Sequence, residues 1–349
     1  MVEISSQNPL IYRQEILSLF FQHVKSAESF YVIGAASMGK TRLLDLLMKP
    51  EVQKHYLGEN ASQHWLIRVD LNRMPVNDPT WAFYELLINS ILLDLNNHES
   101  IDNLATAIAD LDSEIIRNRD PLRALRFFEL VVNKLCQMYE LKLCFLLDEF
   151  DDAYRTLPRE IFLQLRAVRD ANKNRMSFAL FLRNLPERLR PSPDNESFYE
   201  LLSRNMLGVG PYSKAETLQI IQQLELRRNF PLTPAQRERL YEASGGHAGL
   251  ILAFFSILIE IPQAIQRIGM PSWIEWLTQQ PAVIEECRKI WDGLSEEEKE
   301  GLSAFARGEF NKISLPVEKL LFAKGLLQRE DGEARFFSRI FEQYVRGLR

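Results

Sequence analysis

The sequence predicts an α/β fold: an αβα sandwich around a parallel five-stranded sheet, followed by a helical segment and a last domain that closes on a β-hairpin. Three observations carry this. Five short apolar runs alternate with helix-period stretches over roughly the first 210 residues, and such alternation builds a parallel sheet covered by helices. One run, "LKLCFLLDEF" (141–150), is apolar almost without a break, as befits a strand buried on both faces. After Pro211 the strand signal stops until "REDGEA" (329–334), where two short runs flank a turn.

Taken in order, Ile16, Leu17, Leu19, Phe20 and Val24 recur at helical spacing and predict a helix over 13–26. Ser29 to Ile33 is short and β-rich, the first strand. A helix follows Gly39 and runs through Leu43, Leu44, Leu46 and Leu47. "HWLIRVDLN" (64–72) is the second strand. Residues 79–139 read as helices with breaks near 97–101 and 118–121, and 141–150 is the third strand. Helix 161–172, strand "SFALFL" (177–182), short helix 198–205 and strand "MLGVG" (206–210) complete the sandwich. Residues 214–280 hold helices only. From 281 the order is three helices, two short strands and a final helix, the pattern of a winged helix. Domain boundaries are therefore expected near 212 and 281, giving segments 1–212, 213–280 and 281–349.

Composition excludes several classes. A hydrophobic share of 46% and a charged share of 26% are ordinary for a globular protein. The net charge of -5 sets up no global field for nucleic acid or anionic lipid. Cys136, Cys144 and Cys287 form neither a CxxC pair nor a metal spacing, which fits a reducing cytoplasm. The first residues lack the basic region of a signal peptide. The longest apolar stretch, Leu250 to Ile261, is too short for a span and is read as a buried helix, so no membrane partner is expected.

Between the first strand and its helix, Gly34-Ala35-Ala36-Ser37-Met38-Gly39-Lys40-Thr41 matches G-x4-G-K-[ST]. Glycines let backbone N–H groups converge on one centre and let a phosphate approach. The helix start adds free donors and a partial positive charge. Lys40 reaches the β- and γ-phosphates, and the Thr41 hydroxyl is a Mg2+ ligand. The expected nucleotide contacts are Gly34 to Thr41 with the adjoining Arg42, and the expected ligands are ATP or ADP with Mg2+. The second half of such a site is an acid at the end of another buried strand. Asp148 would hold Mg2+ through water, and Glu149 would act as general base on the attacking water. The bland readings are a glycine turn and a charged strand end. Their joint occurrence in strand–turn–helix context favours the chemical one.

These paired motifs, with the helical and hairpin segments behind them, resemble the P-loop NTPases and, within them, AAA+ ATPases of the STAND class. Four stretches carry the resemblance. "NPLIYRQEI" (8–16) is similar to a STAND box that frames adenine, with Arg13 matching and Tyr12 where glycine is usual. "FALFLRNLPERL" (178–189) resembles the sensor strand, which implies Arg183, or Asn184, beside the γ-phosphate. "ASGGHAGLI" (243–251) resembles the lid turn that covers the base, implying Gly246 and His247 near the nucleotide. "SRNMLGVGPYSKAE" (203–216) is similar to the passage into the lid, a layout shared with origin-recognition ATPases, with Arg204 where an arginine finger often stands. The catalytic set is thus Glu149, Lys40 and Arg183, and the metal set Thr41 and Asp148.

The resemblance implies a slowly hydrolysing, nucleotide-dependent switch, assembling as a homo-oligomer or with a separately encoded sensor or effector protein in signalling or defence. The rival is a DNA-associated ATPase that uses the winged helix, similar to origin-recognition ATPases. Charge argues against the rival: residues 281–349 hold 12 Lys/Arg against 13 Asp/Glu. A local basic face, if present, would draw on Lys312, Lys319, Lys324 and Arg329.

Overall fold

The computed structural model describes residues 10, 12–75, 79–95, 102–190, 196–202 and 205–348. They divide into two compact units. The first comprises Gln14–Val32 and Thr41–Leu207; the second comprises Ile11–Arg13, Ile33–Lys40 and Gly208–Arg349.

The sandwich runs α1 (Gln14–Ser26), β1 (Phe30–Ile33), α2 (Lys40–Leu47), α3 (Pro50–Leu57), β2 (His64–Asp70), α4 (Pro79–Leu95), α5 (Asp102–Asn118), α6 (Pro121–Asn133) and β3 (Lys142–Asp148). It continues with α7 (Phe150–Thr156), α8 (Arg159–Ala171), β4 (Met176–Leu182), α9 (Pro186–Leu189), α10 (Glu196–Tyr199) and β5 (Met206–Gly208). The sheet has five strands in the order β2-β3-β4-β1-β5, and the β2–β3 and β3–β4 ladders are parallel. Both long central strands are buried almost end to end, which is why their sequences do not alternate. A chain of ring contacts, Phe128 to Phe145 to Phe178 to Phe198 to Phe162, ties the sheet to its helices. Each such pair adds about 0.5–1.5 kcal/mol beyond area burial.

Local chemistry explains the breaks. Asp120 caps α6 by accepting the Arg123 N–H, and Pro121 sits at the first helical position, so the chain must restart there. Beyond α6 the helix widens into a π-turn over Lys134–Met138, where the sequence predicts continuous helix to 139. The expected break at 97–101 lies outside the described residues. The short helix read over 198–205 is observed as α10, which ends six residues earlier at Tyr199, and the strand read over 206–210 ends at Gly208. There a Cβ would fall on the backbone of Ala323, so the residue must be glycine for the segments to touch.

The second unit holds α11 (Lys214–Arg228), α12 (Pro234–Ser244), α13 (Ala248–Glu260), α14 (Trp273–Thr278), α15 (Pro281–Asp292), α16 (Glu296–Ala306), α17 (Leu315–Ala323), the antiparallel hairpin β6 (Leu327–Glu330) and β7 (Glu333–Phe336), and α18 (Arg339–Gly347). Ser213, Thr233 and Ser295 begin α11, α12 and α16 with complete capping boxes. The apolar run at 250–261 is α13, buried along most of its length. Among the described residues no helix is long and apolar enough to cross a membrane.

One expected surface cation is not on the surface. Lys324 is fully buried and paired with Glu298 at 2.5 Å, itself 1% exposed. Lys312 pairs with Glu309 at 2.9 Å, while Lys319 and Arg329 are exposed. The basic face read from the sequence therefore loses Lys324 and has Lys312 neutralised.

Candidate functional site

The first unit assembles the acid side. Asp148 ends β3, buried, opposite Asp70 in the ladder. Its Oδ2 accepts from Arg68 Nη2 at 3.0 Å and its Oδ1 from the Glu149 N–H at 3.0 Å. Burial raises its pKa, and the Arg68 guanidinium pulls it back toward the carboxylate. Arg68 also reaches Asp45 on α2 at 2.9 Å, so one guanidinium ties the helix after the Gly-Lys-Thr turn to the strand bearing Asp148. Arg68 is a functional candidate that motif reading missed. Its only sequence signal is a cation inside the apolar strand "HWLIRVD".

Glu149 stands in the left-handed region at φ 53, immediately before α7. A non-glycine residue is held there only when its surroundings determine it. Its carboxylate meets Arg183 Nη2 at 2.5 Å. The turn after β4 is fixed by Asp151, whose carboxylate accepts the N–H groups of Arg183 (2.9 Å to the nearer oxygen) and Asn184 (3.0 Å). Asn184 Nδ2 reaches the same carboxylate at 3.4 Å. Of the two sensor candidates, Arg183 therefore faces Glu149, and Asn184 is folded onto Asp151. The structure brings Asp148, Glu149 and Arg183 into one cluster. Thr41 is exposed on the first turn of α2, and Arg42 beside it is half-buried.

The second unit assembles the phosphate loop. Ser37 (φ 55) and Gly39 (φ 89) take left-handed conformations that turn the backbone. Lys40 Nζ donates to the carbonyls of Gly34 at 2.7 Å and Ala35 at 3.1 Å, so the ammonium lies across the mouth of its own loop. Gly34 packs against Val209, where a Cβ would stand 2.9 Å from the Val209 carbonyl oxygen. At Gly39 a Cβ would stand 2.8 Å from the Tyr212 hydroxyl.

Two struts hold the loop from outside. Arg13, buried and itself at φ 56, donates through its guanidinium to the carbonyls of Met38 (2.8 Å), Gly210 (2.7 Å) and Pro211 (3.2 Å). Its guanidinium lies 3.9 Å from the Tyr212 ring centre, and Glu216 accepts the Arg13 backbone N–H at 2.5 Å. The second strut is His247. Its Nδ1 accepts the Leu250 N–H at 3.2 Å, which leaves Nε2–H to donate to the Ala36 carbonyl at 3.1 Å. Full burial lowers its pKa to about 4, so the ring is neutral.

The Nη atoms of Arg13 are committed to protein carbonyls while its buried Nε has no hydrogen-bond partner among the described residues, and both nitrogens of His247 are taken, so each side chain supports the loop. Gly246 keeps a glycine role: at φ 80, its Cβ would fall on the Tyr212 carbonyl, and its own carbonyl accepts the Tyr212 N–H at 3.0 Å. Tyr12, which stands at the usual glycine position, is buried with its hydroxyl bonded by Gln223 at 3.2 Å. Tyr212 and Glu216 are further contributors, without a motif to mark them. Arg204 lies outside the described residues.

No protein-family model matches the chain, and no curated protein matches it by sequence. Among the solved structures that share its fold are two from archaea. The Walker-type ATPase PABY2304 of Pyrococcus abyssi is 14% identical, with a TM-score of 0.57 over 96% of this chain and 95% of that one. The ADP form of the Aeropyrum pernix ORC2 protein is 13% identical, with a TM-score of 0.54 over 99% and 97%. The likeness extends through the helical and hairpin segments as well as the sandwich, so the whole chain has the α/β architecture of these proteins.

Proposed function

We propose that the protein binds ATP and hydrolyses it. The observation that carries this reading is the loop itself: left-handed turns at Ser37 and Gly39, an ammonium lying across the loop, and a helix starting at Lys40. That is a cradle for a polyphosphate. Mg2+ keeps several waters and takes one or two protein oxygens plus phosphate. The Thr41 hydroxyl and the Asp148 carboxylate fit that modest demand. Bound there, the ion would supply charge neutralisation of the phosphates. Glu149 takes the proton of the attacking water, and Arg183 holds that carboxylate until the γ-phosphate competes for the guanidinium. Mass spectrometry of nucleotide retained by the purified protein tests the reading, with Lys40→Ala as control. A protein that ignores ATP, ADP and other nucleoside triphosphates refutes it.

Two outputs follow from ATP turnover. The full-length likeness to the ORC2 protein supports a DNA-associated ATPase of origin-recognition layout. The STAND-type signalling switch rests on the sequence resemblance. The exposed cations Lys319, Arg329 and Arg339 are where the first would touch phosphates. Titration of the full chain with duplex DNA at 50 and 200 mM salt separates them. DNA association gives an affinity that falls steeply with salt, and charge removal at Lys319 and Arg329 weakens it. Absence of DNA binding, with ATP-dependent change in sedimentation, favours the switch.

A further inference from the structure

The nucleotide reading leaves one buried charge unexplained. Glu286, on α15, is 8% exposed, and its Oε1 has no hydrogen-bond partner among the described residues. Its nearest cation, Lys289, lies one turn along the same helix with Nζ 3.9 Å from the other oxygen. The carboxylate is pressed against the first turn of α13. A Cβ at Gly249 would fall on Glu286 Oε1, and the same Cβ would stand 2.9 Å from Ser37 Cβ of the phosphate loop. Carboxylate, helix start and loop therefore meet in one methyl-sized space that only glycine leaves open. Just beyond α15, a Cβ at Gly293 would lie 3.9 Å from Ala36 Cβ. The neighbouring residue His247 holds the Ala36 carbonyl and carries no charge to balance the acid.

A desolvated negative charge beside a loop that must take up a polyphosphate is opposed to that ligand. In a partly buried setting, charges several ångströms apart interact strongly. We infer that Glu286 is an electrostatic brake on the phosphate loop: α15 sets a carboxylate against Ser37 and Gly249 and lowers the affinity of the loop for phosphates. This rests on the nucleotide reading and adds its regulation. A partner or modification that draws α15 away, or neutralises its acid, would release the brake.

The test compares wild type, Glu286→Gln and Lys40→Ala, titrated with ATP and with inorganic pyrophosphate. Glu286→Gln keeps the shape and removes the charge. It is expected to bind either ligand about tenfold more tightly than wild type. The Lys40→Ala,Glu286→Gln double variant should lose that gain. Unchanged or weaker binding by Glu286→Gln, with wild type still binding ATP, overturns the brake and leaves the nucleotide reading intact. If no variant binds ATP or pyrophosphate, the nucleotide reading falls and the brake with it.

Discussion

The phosphate loop and the acid cluster are supported in opposite ways. The loop is held by main-chain carbonyls: Met38 through Arg13, Ala36 through His247, Gly34 and Ala35 through Lys40. The supports outside it are buried. The acids are held by side-chain ion pairs, Asp148 with Arg68 and Glu149 with Arg183, and Arg183 is 44% exposed. A half-exposed ion pair is worth on the order of 1 kcal/mol or less. Breaking a buried carbonyl contact strands a desolvated group at about 1–3 kcal/mol. The difference teaches which half is scaffold and which half can rearrange. On the proposed ATPase reading, the loop would keep its shape through a cycle, while Arg183 would exchange Glu149 for a phosphate at little expense.

The largest effect should come from the movable half. Glu149→Gln is expected to lower single-turnover ATP hydrolysis by about a thousandfold while leaving ATP affinity within about threefold. Equal loss of affinity and rate would make Glu149 a structural cap. Next, Lys40→Ala should weaken ATP binding by about a hundredfold and also lower the melting temperature by a few degrees, because it strips the buried Gly34 and Ala35 carbonyls of their donor. An unchanged melting temperature would take Lys40 out of the scaffold groups.

The scaffold half has its own signature in acid. The His247 pKa is lowered from 6.5 to about 4 in the folded state. The unfolded chain then binds the extra proton between those values, so stability is complete above about pH 6.5 and falls as pH drops toward 4. About 2 kcal/mol of stability is lost by pH 5 relative to neutral pH. Denaturation across pH 4.5 to 7.5 should show this slope in wild type and lose it in His247→Gln. An unchanged slope would mean that the ring is accessible to protons in the native state. The smallest effect is Arg183→Ala, expected to weaken ATP about tenfold and ADP not at all. Parity between the two nucleotides would remove Arg183 from the γ-phosphate.

Much of this was legible in the chain because it is local. A strand, a glycine turn and a helix start are written within a dozen residues, and so are Asp148 and Glu149 at the end of an unbroken apolar run. The supports were not legible, because their partners are remote: Arg13 binds Met38 across 25 residues and Glu216 across 203. Periodicity encodes which face is buried and carries no information on which cation meets which carbonyl. The same blindness misread Lys324. On a charge count it is one more surface lysine, and only the packing of α16 against α17 reveals it as an interior one. His247 shows a subtler limit of the same kind. A glycine pair before a histidine does start a helix, but whether the ring caps that helix or meets a ligand depends on what lies beyond Nε2.

The buried pair of Lys324 and Glu298 has an evolutionary corollary. Losing one partner alone leaves an uncompensated charge in the interior, at about 3–5 kcal/mol, whereas exchanging both for apolar residues of similar volume is close to neutral. Homologous chains should therefore carry either a lysine and a glutamate at these two positions or two hydrocarbons, with mixed combinations purged. This is a coupled substitution pattern, to be sought in sequences that share this architecture.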